Sequence, residues 1–265
     1  MKQGEPFSII HEDDRIIAVN KAPGIAVGGD RWDESKERLD RVLEKKTGRR
    51  VFTVHRIDRD TSGLVVFAKN RETHRALSGA FESRLVQKRY IVVVHGRLPE
   101  TELSCDLPLV PDGDKQHRTI IDKYRGKRSL TRFRRLAAAG NYSVVEALPE
   151  TGRTHQIRVH LASLGFPVVC DPLYGRASPK GVLLSSFKKG WRGDPLAEKP
   201  LLDRLGLHAA SLVLPACEAG QDAGGGPGES AEVPAGLALN APLPRDMAAL
   251  IRQMEKCGIR DAAEG

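Results

Sequence analysis

Short runs of β-branched and aliphatic residues recur at 15–19, 64–68, 89–94, 130–136, 142–148 and 207–214. Each has the length of a strand and is bounded by turn-forming residues. Four helical patterns interrupt them. Leu39, Val42 and Leu43 form an apolar stripe in 35–46, which ends near Gly48. Asn70 offers an N-cap for 70–84 and brings Leu77, Phe81 and Leu85 to one side. A third helix over 154–164 closes at Gly165, where a glycine suits the C-terminus. The fourth follows Pro244, with Met247, Leu250, Ile251 and Met254 at helical spacing. Strands that succeed one another through turns, with helices placed irregularly, predict an α+β fold on a predominantly antiparallel sheet. Two segments lack the patterning. Residues 176–204 read as an insertion over one edge, and the Gly/Ala-rich residues 216–236 as a flexible hairpin loop. Neither marks a boundary, so residues 1–265 read as a single domain with a substantial core.

Charge adds a direction. The formal net charge of +8 favours a polyanionic partner. Between Val110 and Arg135 nine Lys/Arg face three Asp/Glu. Arg118, Lys123, Arg125, Lys127, Arg128, Arg132, Arg134 and Arg135 either line a phosphate track or decorate a solvated loop. The four cysteines (Cys105, Cys170, Cys217 and Cys257) show no close pairing, and no apolar run is long enough to span a bilayer. Both features point to reduced thiols in a cytoplasmic protein. No metal is expected. His155 and His160 are five apart, which on a helix separates them by roughly 140°. His55, His74, His95 and His208 are scattered.

The stretch HRIDRDTSGLVVFAK at 55–69 carries the chemistry. Asp58 has Arg56 and Arg59 beside it, Thr61-Ser62-Gly63 read as a tight polar turn, and Leu64-Val65-Val66-Phe67 as a buried strand. A carboxylate in such surroundings is held ionised and serves as nucleophile or base. The alternative is an Asp that merely caps a turn.

That stretch resembles the signature of the RluA-type pseudouridine synthases, and further matches follow in order. IIHEDDRIIAVNKAPGI at 9–25 is similar to the family's opening strand pair, and QKRYIVVVHG at 87–96 to the strand bearing its active-site tyrosine, here Tyr90. TGRTHQIRVHLASLGFPVVCDPLYG at 151–175 resembles the motif that supplies an active-site arginine, here Arg158. LGLHAASLVL at 205–214 and LNAPLPRDM at 239–247 resemble the closing strands and final helix. The resemblance implies a bent mixed sheet with flanking helices and a cleft along its middle. It also implies an isomerase acting on ribosomal or transfer RNA, a monomer without cofactor.

By the same resemblance Asp58 is the essential acid, Arg158 its cationic partner, and Tyr90 a stacking residue that helps remove a proton from the base. Arg56 belongs to the substrate-contacting group by that resemblance, His55, Arg153 and His155 are further candidates for it, and the basic cluster makes Arg125, Lys127 and Arg128 candidates for the RNA backbone. Taken singly, Tyr90 also suits strand packing, Arg158 a helix surface, and Arg56 an ion pair with Asp60. Three departures stand out. Ile57 replaces a usual Leu of similar volume. Cys170 replaces a usual Gly, so the backbone there is expected to differ locally. The small helical RNA-binding domain that often precedes the catalytic domain is expected to be absent. Two other function classes compete. One is a non-catalytic RNA-binding or chaperone protein on the same fold, which has no need of the acid. The other is a hydrolase pairing Asp58 with Asp60, which lacks a supporting second acid site or metal set.

Overall fold

In the computed structural model, which describes residues 5–29, 37–175, 181–215 and 236–260, the chain forms two compact units. The first comprises 1–88 and 209–242, the second 89–208 and 243–265. In chain order the elements are β1 (Phe7–Glu12), β2 (Ile16–Lys21), α1 (Leu39–Thr47), β3 (Phe52–Thr53), β4 (Ser62–Ala68), α2 (Arg71–Glu82) and β5 (Gln87–His95). There follow β6 (Leu103–Cys105), β7 (Leu109–Val110), β8 (Ile120–Ile121), β9 (Thr131–Ala139), β10 (Tyr142–Pro149) and α3 (Gln156–Ser163). The chain ends with β11 (Leu207–Leu214), β12 (Leu237–Asn240), α4 (Arg245–Cys257) and β13 (Ile259–Arg260). Helices interspersed among antiparallel strand pairs make this an α+β protein, as the strand spacing predicts.

The first unit is built on the strand order β1-β2-β4-β11, with β3 beside β4 and β12 beside β11. β2 and β4 are buried along their whole length. This explains why IIAVNK and SGLVVFA read as apolar runs rather than alternating patterns. Ile16, Ala18, Leu64, Val66, Leu77, Leu212, Leu214 and Leu239 form one core, which α2 covers. Asn70 caps that helix by accepting the Thr73 N–H at 2.8 Å, as expected. Leu85 departs from expectation. The helix stops at Ser83, and Leu85 lies beyond it, 59% exposed.

Thr61-Ser62-Gly63 do not form the expected turn. The turn comes earlier, closed by the Thr61 N–H donating to the Asp58 carbonyl at 3.1 Å, and Ser62-Gly63 already belong to buried β4. Gly63 has φ +117, and a Cβ there would lie 2.2 Å from the Ala209 carbonyl oxygen on β11. The glycine permits a close backbone approach rather than a turn. Gly63→Ala is therefore expected to destabilise the protein by roughly 3 kcal/mol. Urea unfolding monitored by circular dichroism measures this, and a loss below about 1 kcal/mol would contradict the close approach.

The second unit carries the order β5-β10-β9-β13, with β6 beside β9 and a separate β7–β8 hairpin. Its core gathers Val92, Val94, Phe133, Val145, Ile157, Leu161, Val168 and Leu207. α4 buries Met247, Leu250 and Met254. The register of β9 on β10 shifts between Val144 and Val145. Beside that shift Arg135 is buried, its Nη1 donating to the Leu98 carbonyl at 2.7 Å and its Nη2 to Glu100 at 2.8 Å. Arg135 thus leaves the expected phosphate track. Of the segment read as an insertion, 181–204 is anchored by a bridge between Val182 and Leu202, both buried. The Gly/Ala-rich loop read at 216–236 lies outside the described residues apart from Gly236. Among the described residues no helix is long and apolar enough to cross a membrane.

Candidate active site

Asp58 belongs to the first unit, Tyr90 and Arg158 to the second. In the first unit the chain runs from β3 through His55, Arg56 and Ile57 to the Asp58 turn. Ile57 is buried and anchors the segment, while Arg56 is exposed and Asp58 half-buried. The neighbours of the turn are fixed from below by Lys21. This fully buried lysine donates from Nζ to three carbonyls, those of Ala22 (2.8 Å), Ile25 (2.9 Å) and Arg59 (2.8 Å). An ammonium out of water needs such partners, and in meeting that need it ties the Pro23-Gly24 turn to the Asp58 turn. A further strut is the Gly24 N–H, which donates to the Arg59 carbonyl at 2.9 Å. Nothing in the sequence marks Lys21 as different from any other strand-end lysine.

His55 holds the other side. Its Nε2 accepts the Val66 N–H at 3.0 Å, and its ring stacks on Phe81 with centroids 4.6 Å apart. Burial, helped by the charge of Lys88, pushes its pKa down to about 3. The imidazole is therefore neutral across the physiological range and fastens the segment to β4. Arg59, not Arg56, pairs with Asp60, at 3.3 Å. That leaves Arg56 at the surface beside the acid, without the Asp60 pairing that competed with a substrate role.

In the second unit the N-terminal half of α3 organises the candidate groups. Arg158 projects into the interior, where its Nε and Nη2 donate to the two oxygens of Asp171, both at 2.7 Å. Asp171 also accepts the N–H groups of Leu173 (2.9 Å) and Tyr174 (3.1 Å). Burial alone would raise this carboxyl. The Arg158 hydrogen bonds and charge, with the two amides, outweigh it and hold the group below the ordinary carboxylate range. The Tyr174 ring lies 5.1 Å from the guanidinium carbon. Its hydroxyl accepts the Thr119 N–H at 2.8 Å and is hydrogen-bonded to His155 Nδ1 at 2.9 Å. Burial keeps that phenol protonated by raising its pKa.

Gln156 and His160 fix the helix from the other side. Gln156 receives the Thr151 hydroxyl and donates to the Leu130 carbonyl and Thr131 Oγ1. His160 donates from Nε2 to the Leu107 carbonyl and accepts from Thr131 at Nδ1. Burial lowers its pKa, which favours this neutral tautomer.

Asp171 was missed in the sequence because a bidentate partner thirteen residues away has no local signature. Cys170, before it, adopts φ +55, the left-handed conformation natural to glycine, despite its side chain. Its thiol donates to the Leu202 carbonyl at 3.6 Å, and burial, with the charge of Asp203, raises its pKa to about 11. Cys170→Gly is expected to be more stable than Cys170→Ala by about 0.5–1 kcal/mol, since both lose the thiol and only Ala keeps the strain. Equal melting temperatures for the two variants would show no strain at this position.

Tyr90 is half-buried on β5 and packs against the second core. Arg153 donates from Nε to the Arg128 carbonyl at 3.3 Å, which brings it to the cationic segment after β8. There Lys127 and Arg128 are exposed, while Arg125 pairs with Asp122 at 2.8 Å and stays 74% exposed. Arg118, Arg132 and Arg134 are likewise matched by Asp114, Glu150 and Glu146.

A family model described as RNA pseudouridylate synthase matches residues 15–163. A large-subunit pseudouridine synthase D of Zymomonas mobilis is 34% identical, over 79% of this chain and 65% of its own length. The chain thus spans just under two thirds of that relative. A dual-specificity RNA pseudouridine synthase, RluA, of Vibrio cholerae is 36% identical over 78% of this chain and 76% of its own. Among solved structures, human RNA pseudouridylate synthase domain containing 1 superposes with a TM-score of 0.67 at 24% identity, covering all of this chain and 94% of the other, a likeness of fold. The match spans Asp58, Tyr90 and Arg158 alike, and the chain belongs to the RNA pseudouridylate synthase family.

Proposed function

We propose that the protein isomerises uridine to pseudouridine in ribosomal or transfer RNA, as a cytoplasmic monomer without cofactor. The reaction breaks the bond from ribose to uracil nitrogen, turns the base and rejoins it through carbon 5. Atoms are conserved and no oxidation state changes. What it requires of the protein is a fixed carboxylate, a cation and a cage for the base. The observation that carries this reading is the rigid mounting of Asp58, within the matched segment, between buried Lys21 and neutral His55. A residue that merely capped a turn would not call for a buried lysine and a neutral histidine to fasten the chain around it.

In this reading Asp58 is the catalytic carboxylate and Tyr90 faces the base. Arg158 is the oriented guanidinium. Asp171 uses one edge of its fork and neutralises its charge, so its contribution is geometry more than net charge. Arg56, exposed beside the acid, stacks where the extruded base leaves space. Arg153 and His155 contact substrate, and Arg125, Lys127 and Arg128 take backbone phosphates. A surface pair such as Arg125–Asp122 contributes little and yields readily to a phosphate.

Carbodiimide labelling of ribosomal and transfer RNA from cells with and without the protein tests the proposal. New label at defined uridines, with RNA mass unchanged, is the expected result. RNA bound without any change in labelling would instead favour the non-catalytic RNA-binding protein.

A further inference from the structure

α1 ends at Gly48, and Arg49, Arg50 and Val51 lead the chain back into β3. Between helix and strand lies an open groove of about 830 Å³, which α2 reaches through His74. Five cations line it (Arg38, Arg41, Lys45, Arg49 and Arg50) against two carboxylates, Asp40 and Glu44. Both carboxylates are already committed. Asp40 takes the fork of Arg38. Glu44 receives Arg41 at 3.0 Å on one oxygen and the Val51 N–H at 3.2 Å on the other. Lys45, Arg49 and Arg50 are exposed and, among the described residues, pair with no acid.

The wall of the groove is aromatic and braced. The Arg50 guanidinium lies 5.2 Å from the centre of the Phe52 ring, and the His74 ring centre is 5.7 Å from it. His74 Nε2 is bonded to the Thr53 carbonyl at 3.2 Å. A charge run along a helix is ordinarily a solvated face. Here the acids are spent inside the wall while three cations gather round a concavity, an arrangement that costs mutual repulsion unless an anion occupies it. The cations are spread along a helix end and a loop rather than converging on one point. That spread fits a chain of phosphates, and the ring fits a base.

Position narrows the partner further. β3 pairs with the end of β4, Phe52 opposite Ala68 and Thr53 opposite Phe67, whereas the Asp58 turn leads into its beginning at Ser62. Six strand residues at about 3.3 Å each separate the two ends by roughly 20 Å. One uridine cannot reach across, but the RNA that flanks it can. We propose that this groove binds the RNA strand flanking the target uridine, through phosphates on Lys45, Arg49 and Arg50 and a base on Phe52. The inference rests on the RNA substrate proposed above.

The test compares Lys45→Gln/Arg49→Gln/Arg50→Gln with Lys188→Gln/Lys189→Gln/Arg192→Gln, which removes equal charge from an exposed segment of the second unit. Binding to unmodified large-subunit ribosomal RNA and transfer RNA transcripts is measured by filter retention across a KCl series. The groove variant is expected to lose about 2 units of the log–log salt slope and to bind roughly 10–100-fold more weakly at physiological salt. The control should keep the slope, and the charge-conserving Lys45→Arg/Arg49→Lys/Arg50→Lys should recover it. An unchanged slope in the groove variant, or an equal loss in the control, overturns the groove. Carbodiimide labelling of the same transcripts by wild-type protein separates the two failures. If label forms and the groove variant binds normally, only the groove is wrong. Absence of label on every transcript rejects the isomerase reading itself.

Discussion

Asp58→Asn is expected to abolish pseudouridine formation while RNA affinity stays within a small factor of wild type. The amide preserves size, and the turn closed by Thr61 N–H on the Asp58 carbonyl uses backbone atoms only, so the loop should keep its shape. What disappears is the ability to act as nucleophile or base. Loss of a catalytic carboxylate in other enzymes costs about four orders of magnitude in turnover, and a comparable fall is expected here. The measurement is single-turnover formation of carbodiimide-reactive uridine, with binding followed separately on the same RNA. Turnover near wild type would reject Asp58 as the catalytic group and return it to the turn-cap reading. A parallel loss of binding would make it a substrate contact.

The strands were legible because their signal is local. LHAASLVL at 207–214 is β11 to the residue, and the runs at 64–68 and 142–148 fall inside β4 and β10. Helix ends with a cap were equally plain, at Asn70 and at Gly48 with its φ of +68. What stayed hidden depends on residues distant in sequence. Gly63 looked like a turn glycine because its neighbours Thr61 and Ser62 are turn formers. The close approach of Ala209 that it permits comes from a strand some 146 residues away. The β7–β8 hairpin escaped notice because two-residue strands carry no periodicity. In the candidate site, Asp58 and Arg158 were singled out because their motifs are contiguous. Lys21 and Asp171, which hold the surroundings of one and the side chain of the other, were not. A buried ion's partners are set by the tertiary fold, and neither residue type announces burial.

The pairing of Arg158 with Asp171 yields the other large effect, and it separates stability from chemistry. Arg158→Ala leaves Asp171 buried with its two amide partners but no counter-ion, at a cost of roughly 3–5 kcal/mol. The pH dependence should change with it. In the wild type the Asp171 pKa is lowered on folding, so its stabilising contribution is present above the unfolded value of about 3.9 and is lost as pH falls through the folded value. Without Arg158, burial raises the folded pKa relative to wild type. Acidification from neutrality should then destabilise the variant less than the wild type, or stabilise it where the pKa rises above the unfolded value. Replacing both partners by apolar residues, Arg158→Met with Asp171→Leu, removes the stranded charge and should recover most of the lost stability. Turnover should stay lost in the double variant, because the oriented guanidinium is gone. Melting temperature against pH and single-turnover rate, measured on all three proteins, decide the matter. If turnover returns together with stability, Arg158 serves the fold alone and has no part in the reaction.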